Sequence, residues 1–234
     1  MPTLVLLPEM DGTGELFADL VDSLPDSFEA VTVRYPTDQV LSYSELKPFV
    51  QAACPVSKPF VLLAESFSTP LAIQYAATMP PNLCGLLLCA GFATAPVAGW
   101  KRWPVLLAAP MLFRFKLPKF AVRQWLLGQS ASAEMLAALQ IAVSSVRSDV
   151  LAARIQAALS CDVRAELAQV SVPVLYIQAA QDRLLSGSCL EAIHRVKPDM
   201  CVSVVAGPHL LLQSKPQEAA NIIIGFARLA NRTV

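Results

Sequence analysis

Histidine is the scarcest reactive residue in this chain, with two copies among 234 residues, at positions 194 and 209. The six cysteines form no Cys-x-x-Cys pair. Because a protein metal site usually brings several nitrogen or sulfur ligands together, the sequence predicts no metal site, and nothing in it calls for a cofactor. The unpaired cysteines are typical of small core residues in a reducing compartment.

Charge is also scarce, since charged residues make up 15% of the chain and hydrophobic residues 55%, with a mean hydropathy of +0.51. This composition excludes a disordered chain and favours a large buried sheet or an apolar ligand pocket. Residues 101–123 contain six bases and no acid. We interpret this basic, apolar stretch as a surface for anionic lipid or an acidic carrier. A nucleic-acid partner does not fit, because the net charge of the whole chain is zero.

The start of the chain lacks a basic segment followed by an apolar run, so we predict no secretory signal and a cytoplasmic protein, peripheral at a membrane surface at most. Residues 66–100 carry no charge, a run long enough to raise the question of a membrane span. The break Met79-Pro80-Pro81-Asn82 divides this run into a helical pattern and a strand pattern. We therefore predict no span.

Short apolar runs alternate with amphipathic patterns along most of the chain. The predicted strands are 3–7, 30–34, 60–64, 84–90, 174–178 and 201–205. The predicted helices between and after them are 15–24, 43–53, 67–78, 189–196 and 216–229. Uniformly apolar strands separated by helices predict an α/β fold with a doubly wound, mainly parallel, six-stranded sheet.

No strand pattern appears between about residue 92 and residue 169. Helical patterns fill this stretch instead, at 103–113, 119–127, 133–146, 150–158 and 163–168. We predict a core domain of residues 1–92 and 169–234 and an inserted all-helical cap of residues 93–168. The cap should lie over the carboxyl edge of the sheet, where ligands bind in open α/β sheets.

Ser66 occupies the sharpest change of pattern, where the apolar strand 60–64 ends and a helical pattern begins. A serine at a strand-to-helix turn is exposed above the sheet and is typical of a nucleophile elbow. This turn is crowded, so the residues two before and two after the serine must be small. Here they are Ala64 and Ser68, where the usual pattern has glycine.

A serine hydroxyl needs a base, and the base needs an orienting carboxylate. His209 follows the last predicted strand, whereas His194 lies inside a helical pattern beside Arg195 and reads as a solvated side chain. Asp182 follows the strand 174–178, and the strand before the cap ends without an acid. The sequence therefore predicts Ser66, Asp182 and His209 as a catalytic triad, in the order expected when the elbow comes first.

Two backbone N–H groups should stabilise the developing oxyanion. We predict those of Phe67, which follows the serine, and of Met10, which occupies the first exposed turn position after strand 3–7. The same loop contains Gly12-x-Gly14. The third glycine of a dinucleotide fingerprint is absent, because Phe17 stands in its place, and this argues against dinucleotide binding.

These residues resemble the α/β-hydrolase superfamily, in particular small carboxylesterases with helical caps. The resemblance rests on the elbow Ala64-Glu65-Ser66-Phe67-Ser68, on the stretch 172–182 that ends in Asp182, and on Gly207-Pro208-His209-Leu210-Leu211-Leu212-Gln213. The family's His-Gly after the first strand is replaced by Pro8-Glu9, and we expect this acid to disfavour anionic substrates or to slow the chemistry. The chain begins at the family's third strand, which implies six strands without an antiparallel edge pair.

The resemblance implies a serine hydrolase that cleaves a carboxylic ester or thioester of an apolar acyl group. We expect the cap to supply substrate-binding side chains, namely Trp100, Trp103, Met111 and Phe115. Two alternatives stay open: a non-catalytic or signalling member of the fold that binds a small apolar ligand or a protein, and a triad enzyme for C–C hydrolysis, perhydrolysis or lyase chemistry.

Overall fold

A computed structural model of the chain describes residues 1–97, 104 and 118–231, and its strands run in the order β2-β1-β3-β4-β5-β6. Every neighbouring pair is parallel, so the predicted six-stranded sheet is confirmed. The second strand is shorter than predicted. The strands are β1 Thr3–Leu7, β2 Ala30–Thr32, β3 Phe60–Glu65, β4 Leu83–Cys89, β5 Val174–Ala179 and β6 Cys201–Val205.

The helices that flank the sheet agree closely with the predicted patterns. They are α1 Ala18–Asp22, α2 Tyr43–Ala53, α3 Thr69–Ala76, α4 Lys119–Val122, α5 Ala133–Ser144, α6 Ser148–Ser160, α7 Arg164–Gln169, α8 Gly187–Val196, α9 Leu211–Ser214 and α10 Pro216–Ala230. Short 3₁₀ turns precede α1 and α3, and a π-helical turn, Arg123–Leu127, follows α4. Local chemistry fixes the starts: Ser42 and Glu45 form a capping box before α2, and Pro216 opens α10.

Alternate residues of the central strands enter two separate cores, one on each face of the sheet. In β1, Val5 and Leu7 face the core that contains α2 and α3, whereas Leu4 and Leu6 face the core that contains α1 and α10. All residues of β1, β3 and β4 are buried. Two covered faces explain why these strands are apolar throughout rather than alternating.

The stretch between β4 and β5 is helical in the part that the structure describes, as predicted. Its only link of strand type there is an isolated antiparallel bridge between Thr94 and Asp162. The predicted helix 103–113 lies outside the described residues. The division into domains at residues 92/93 and 168/169 stays a prediction, and Leu167 of α7 packs into the α2/α3 core.

Within the described residues, no single helix is long and apolar enough to cross a membrane. Helices α5 and α6 are long and apolar enough only when they are taken together, and they are bent by 96° at their junction.

Gly85 of β4 offers a test of the close packing between the sheet and α10. A Cβ atom at this position would lie 2.7 Å from Phe226 Cε1 and 3.1 Å from Ala230 Cβ. We expect Gly85→Ala to lower the free energy of unfolding by about 1–3 kcal/mol, because the helix must move. Urea denaturation measures this change.

Gly225→Ala is the matched control, since this glycine lies in α10 and nothing lies within 4 Å of the added Cβ. We expect it to leave stability unchanged or raise it by up to about 1 kcal/mol, as alanine favours a helix. Equal destabilisation by both variants would contradict the packing argument.

Candidate active site

Ser66 stands at the end of β3 with a left-handed backbone, φ 47°. A non-glycine residue rarely adopts this conformation, and it marks a sharp turn from the strand into the helix. The Thr69 hydroxyl donates to the Ser66 carbonyl at 2.8 Å, and the Tyr43 hydroxyl donates to the Phe67 carbonyl at 2.8 Å. The turn that the sequence predicts is therefore present and is held by neighbouring side chains.

The two small residues of the turn have different surroundings. Ala64 is fully buried between β1 and β4, opposite Leu7 and Leu88. Ser68 is also buried, but its hydroxyl donates to the carbonyl of Pro8, in the loop after β1. Serine in place of glycine thus adds a hydrogen bond between the elbow and this loop.

Ser66, His209 and Asp182 form a continuous chain of hydrogen bonds. His209 Nε2 lies 2.8 Å from Ser66 Oγ, and His209 Nδ1 lies 2.7 Å from Asp182 Oδ2. The other carboxylate oxygen, Asp182 Oδ1, accepts the N–H groups of Leu184 and Leu185, both at 2.8 Å. The structure therefore brings the three predicted residues together, and their catalytic role stays a prediction.

Sheet topology explains this convergence. Ser66 follows β3, Asp182 follows β5 and His209 follows β6, and these parallel strands end at the same edge of the sheet. His209 is 1% exposed. By contrast, His194 lies in the last turn of α8 with an exposed side chain, as the sequence predicts.

A cavity of about 390 Å³ opens above Ser66 and His209. Met10 and Phe67, the predicted oxyanion donors, line it next to Ser66. The opposite wall comes from helices between β4 and β5 and is apolar; its residues are Ala121, Val122, Trp125, Leu126, Leu139, Val143, Ile155, Ala158 and Leu159. The space beside the serine therefore suits an apolar group.

The predicted substrate-binding residues Trp100, Trp103, Met111 and Phe115 lie outside the described residues. Trp125 and Leu139 line the cavity although we did not single them out from the sequence. Both fall in predicted cap helices, so the apolar faces of helices 119–127 and 133–146 could have identified them as cavity residues.

The chain resembles known proteins in sequence and in structure. No protein-family model matches the chain. The biotin biosynthesis bifunctional protein BioHC of Cellvibrio japonicus is 27% identical over 241 residues, which cover 96% of this chain and 47% of that protein. The chain thus spans about half the length of this curated relative.

Solved structures match over nearly the whole chain at low identity. A bromoperoxidase from Bacillus anthracis has a TM-score of 0.84 at 12% identity, with 97% of this chain and 92% of the other covered. A carboxylesterase structure from Nitrososphaera gargenis has a TM-score of 0.82 at 14% identity, with 100% of this chain and 92% of the other covered. A hydrolase from Oleispira antarctica has a TM-score of 0.80 at 16% identity, with 97% of this chain and 91% of the other covered. The chain has the α/β-hydrolase fold.

Glu65 shows how this α/β-hydrolase fold fastens its elbow to the segment that carries His209. Gln213 Nε2 donates to Glu65 Oε2 at 2.8 Å, and the Leu212 N–H donates to Oε1 at 3.3 Å. Glu65 is completely buried, and burial raises its pKa to about 8, although the two hydrogen bonds oppose this shift. The carboxyl therefore keeps its proton at neutral pH.

Glu9 is a second acid with a raised pKa, and it lines the cavity. Burial raises the pKa of Glu9 well above the usual range, and the nearby acids Glu65, Asp11 and Asp182 add to the effect. Its Oε1 atom is buried without a hydrogen-bond partner among the described residues. These effects favour the uncharged form of Glu9, which weakens the repulsion of anionic substrates that we expected from it.

The raised pKa of Glu65 predicts a pH dependence of stability. The folded group titrates near pH 8 and the unfolded one near its ordinary value of 4.5. Between these values the unfolded chain releases its proton first, so stability falls as pH rises, by up to about 1.4 kcal/mol per pH unit. We expect Glu65→Gln to remove this loss, so the stability difference between variant and wild type should shift in favour of the variant from pH 5 to pH 8.

Urea denaturation at pH 5, 6, 7 and 8 measures this difference. Glu218→Gln is the control for loss of an acidic residue, because Glu218 is exposed in α10. Parallel stability curves for wild type and Glu65→Gln would contradict the prediction.

Proposed function

We propose that the chain is a serine hydrolase that cleaves the carboxylic ester or thioester of an apolar acyl group. One observation carries the proposal: the hydrogen-bonded chain Ser66–His209–Asp182 presents Ser66 and His209 to a mostly apolar cavity. A serine hydroxyl, an imidazole within 2.8 Å of it and a carboxylate on the far ring nitrogen are the groups that acyl transfer requires.

In the proposed reaction, Ser66 Oγ attacks the carbonyl carbon while His209 Nε2 accepts the hydroxyl proton. The N–H groups of Met10 and Phe67 stabilise the negative charge that develops on the carbonyl oxygen. His209 then passes the proton to the leaving alcohol or thiol, and an acyl-enzyme remains on Ser66. A water molecule, deprotonated by His209, hydrolyses this ester and restores the serine.

The cavity supports an apolar acyl group rather than an anionic one, since its lining includes the acids Glu9 and Asp11. Its described lining contains no lysine or arginine, and its cap wall is apolar. An anionic acyl chain would find no opposite charge there, whereas an alkyl or aryl chain would bury its surface against Val122, Leu126 and Leu139.

The comparisons support the hydrolase class in a general way. Neighbours of the same fold include proteins described as a hydrolase and a carboxylesterase. Their identities to this chain are 16% and 14%, so the apolar acyl group is inferred from the cavity alone.

The first test is turnover of p-nitrophenyl esters of different chain lengths. We expect Ser66→Ala to lower kcat by at least ~10³-fold and Asp182→Asn to lower it by ~10⁴-fold, because each variant removes a part of the proton-transfer chain. A fluorophosphonate probe should label Ser66 in the folded wild type. His194→Ala is the control and should retain full activity, since this histidine is exposed and lies in α8.

Absence of both turnover and labelling in folded wild type would refute the hydrolase. The alternative, a protein of this fold that binds a small apolar ligand without turnover, would then account for the cavity.

We also propose that the segment from Lys119 to Trp125 contacts an anionic membrane surface. Phe120 is 76% exposed and Trp125 is 50% exposed. The exposed basic residue Lys119 directly precedes Phe120, and the basic residue Arg123 lies two positions before Trp125. Exposed aromatic residues beside cations favour the headgroup region of a bilayer. Trp125 also lines the cavity, so this contact would place the cavity wall at the lipid surface.

Co-sedimentation with vesicles of anionic or zwitterionic lipid tests this contact. We expect binding to anionic vesicles that weakens with salt, and a loss of at least ~10-fold in affinity for Lys119→Glu with Phe120→Ser. Val56→Ser is the control, because Val56 is 91% exposed and lies outside this segment. Equal affinity of all three proteins would refute the contact and would leave an acidic carrier as the candidate partner.

A further inference from the structure

Arg154 is a buried cation in the middle of α6, with 2% exposure. Its guanidinium reaches the loop that follows β1: Nη1 donates to the carbonyls of Met10 and Asp11, each at 2.8 Å. Nη2 donates to the carbonyl of Pro36 at 2.9 Å. Burial of a guanidinium is costly unless its donors are paired, and here main-chain oxygens accept three of its five N–H groups.

Tyr35 connects this guanidinium to the elbow. Its ring lies under Arg154, with Cζ 5.7 Å from the ring centroid, and its hydroxyl lies 2.7 Å from Ser68 Oγ. Since the Ser68 hydroxyl donates to the Pro8 carbonyl, Tyr35 is the donor to Ser68. The carbonyls of the loop are therefore held at Pro8 by the elbow and at Met10 by α6.

Gly12 shows how closely the loop lies against these side chains. A Cβ at this position would lie 2.6 Å from Arg154 Nη1 and 3.0 Å from Tyr35 Cδ2. The Gly12 backbone has φ +71°, and its carbonyl accepts the Tyr35 N–H at 2.8 Å. Glycine is required here by both the conformation and the close approach.

We propose that Arg154 is a positioning residue for the oxyanion donor Met10, so that the oxyanion site is complete only while α6 is seated on the core. This inference rests on the proposed hydrolase function. The N–H and the carbonyl of Met10 are joined to the same Cα, so a fixed carbonyl limits the ψ rotation at Met10 and thereby the directions that its N–H, the proposed oxyanion donor, can take. A cap movement that withdraws Arg154 frees the loop and stops acyl transfer until the helix returns.

Arg147, the exposed residue directly before α6, provides a control with the same substitution. Its N–H donates to the Thr37 carbonyl at 2.9 Å, and its Nη1 donates to the Asp38 carbonyl at 2.8 Å. It therefore connects α6 to the same side of the core without touching the loop that carries Met10. Arg147→Met should weaken the seating of α6 but leave the position of Met10 unchanged.

The experiment compares a p-nitrophenyl ester with the thionoester of the same acyl chain. Charge that develops on sulfur accepts hydrogen bonds poorly, so the ratio of the two kcat/KM values reports the oxyanion donors. We expect Arg154→Met to lower kcat for the ester ~10- to ~100-fold with KM within about twofold, and to lower the ester-to-thionoester ratio ~10-fold. Arg147→Met should keep the wild-type ratio even where thermal unfolding shows that both variants are destabilised.

An Arg154→Met protein with the wild-type ratio overturns the positioning role. If that variant does not fold, Arg154→Lys decides instead, because it keeps the buried positive charge but a single ammonium cannot reproduce the guanidinium's bonds to the carbonyls of Met10, Asp11 and Pro36; an unchanged ratio there also overturns the inference. Wild type without turnover or Ser66 labelling refutes the hydrolase and the positioning role together. Active wild type with unchanged ratios refutes the positioning role alone.

Discussion

The left-handed backbone of Ser66 is the constraint on which the rest of the site depends. A residue with a Cβ atom in this conformation costs roughly 1–3 kcal/mol, so surrounding contacts must hold it. Thr69 supplies two of them, since its hydroxyl donates to the Ser66 carbonyl and accepts the Phe92 N–H at 3.0 Å. This turn directs the serine side chain away from the line of β3, so that Ser66 Oγ lies 2.8 Å from His209 Nε2.

The acids around this turn differ in the hydrogen-bond partners of their carboxyl groups. Asp182 accepts two backbone N–H groups and faces the imidazole, which is a setting for a carboxylate. Glu65 is buried and accepts two hydrogen bonds, whereas Glu9 is partly buried and its Oε1 atom has no partner among the described residues; desolvation raises the pKa of each. Burial therefore favours the uncharged form of Glu65 and of Glu9, whereas Asp182 receives the hydrogen bonds that hold it against the imidazole.

Strand ends made much of this site predictable. The residues after β3, β5 and β6 meet at one edge because parallel strands share a direction, and a chain with two histidines leaves little choice of base. Ser68 was harder to interpret, because a serine in the place of a glycine suggests a weakened elbow, whereas its hydroxyl bonds to the loop after β1. Arg154 gave no local signal, since a single arginine in an amphipathic helix usually faces solvent, and only tertiary packing places it against Met10.

The burial of Arg154 also bears on how the cap docks. A buried cation adds little net stability, because the loss of hydration offsets the hydrogen bonds that it forms. A guanidinium that must meet three fixed carbonyls, however, is satisfied in only one position of α6, whereas an apolar side chain would tolerate small sliding movements of the helix. We infer that this residue contributes a unique docking geometry more than free energy, and such a geometry is what an oxyanion donor on the contacted loop requires.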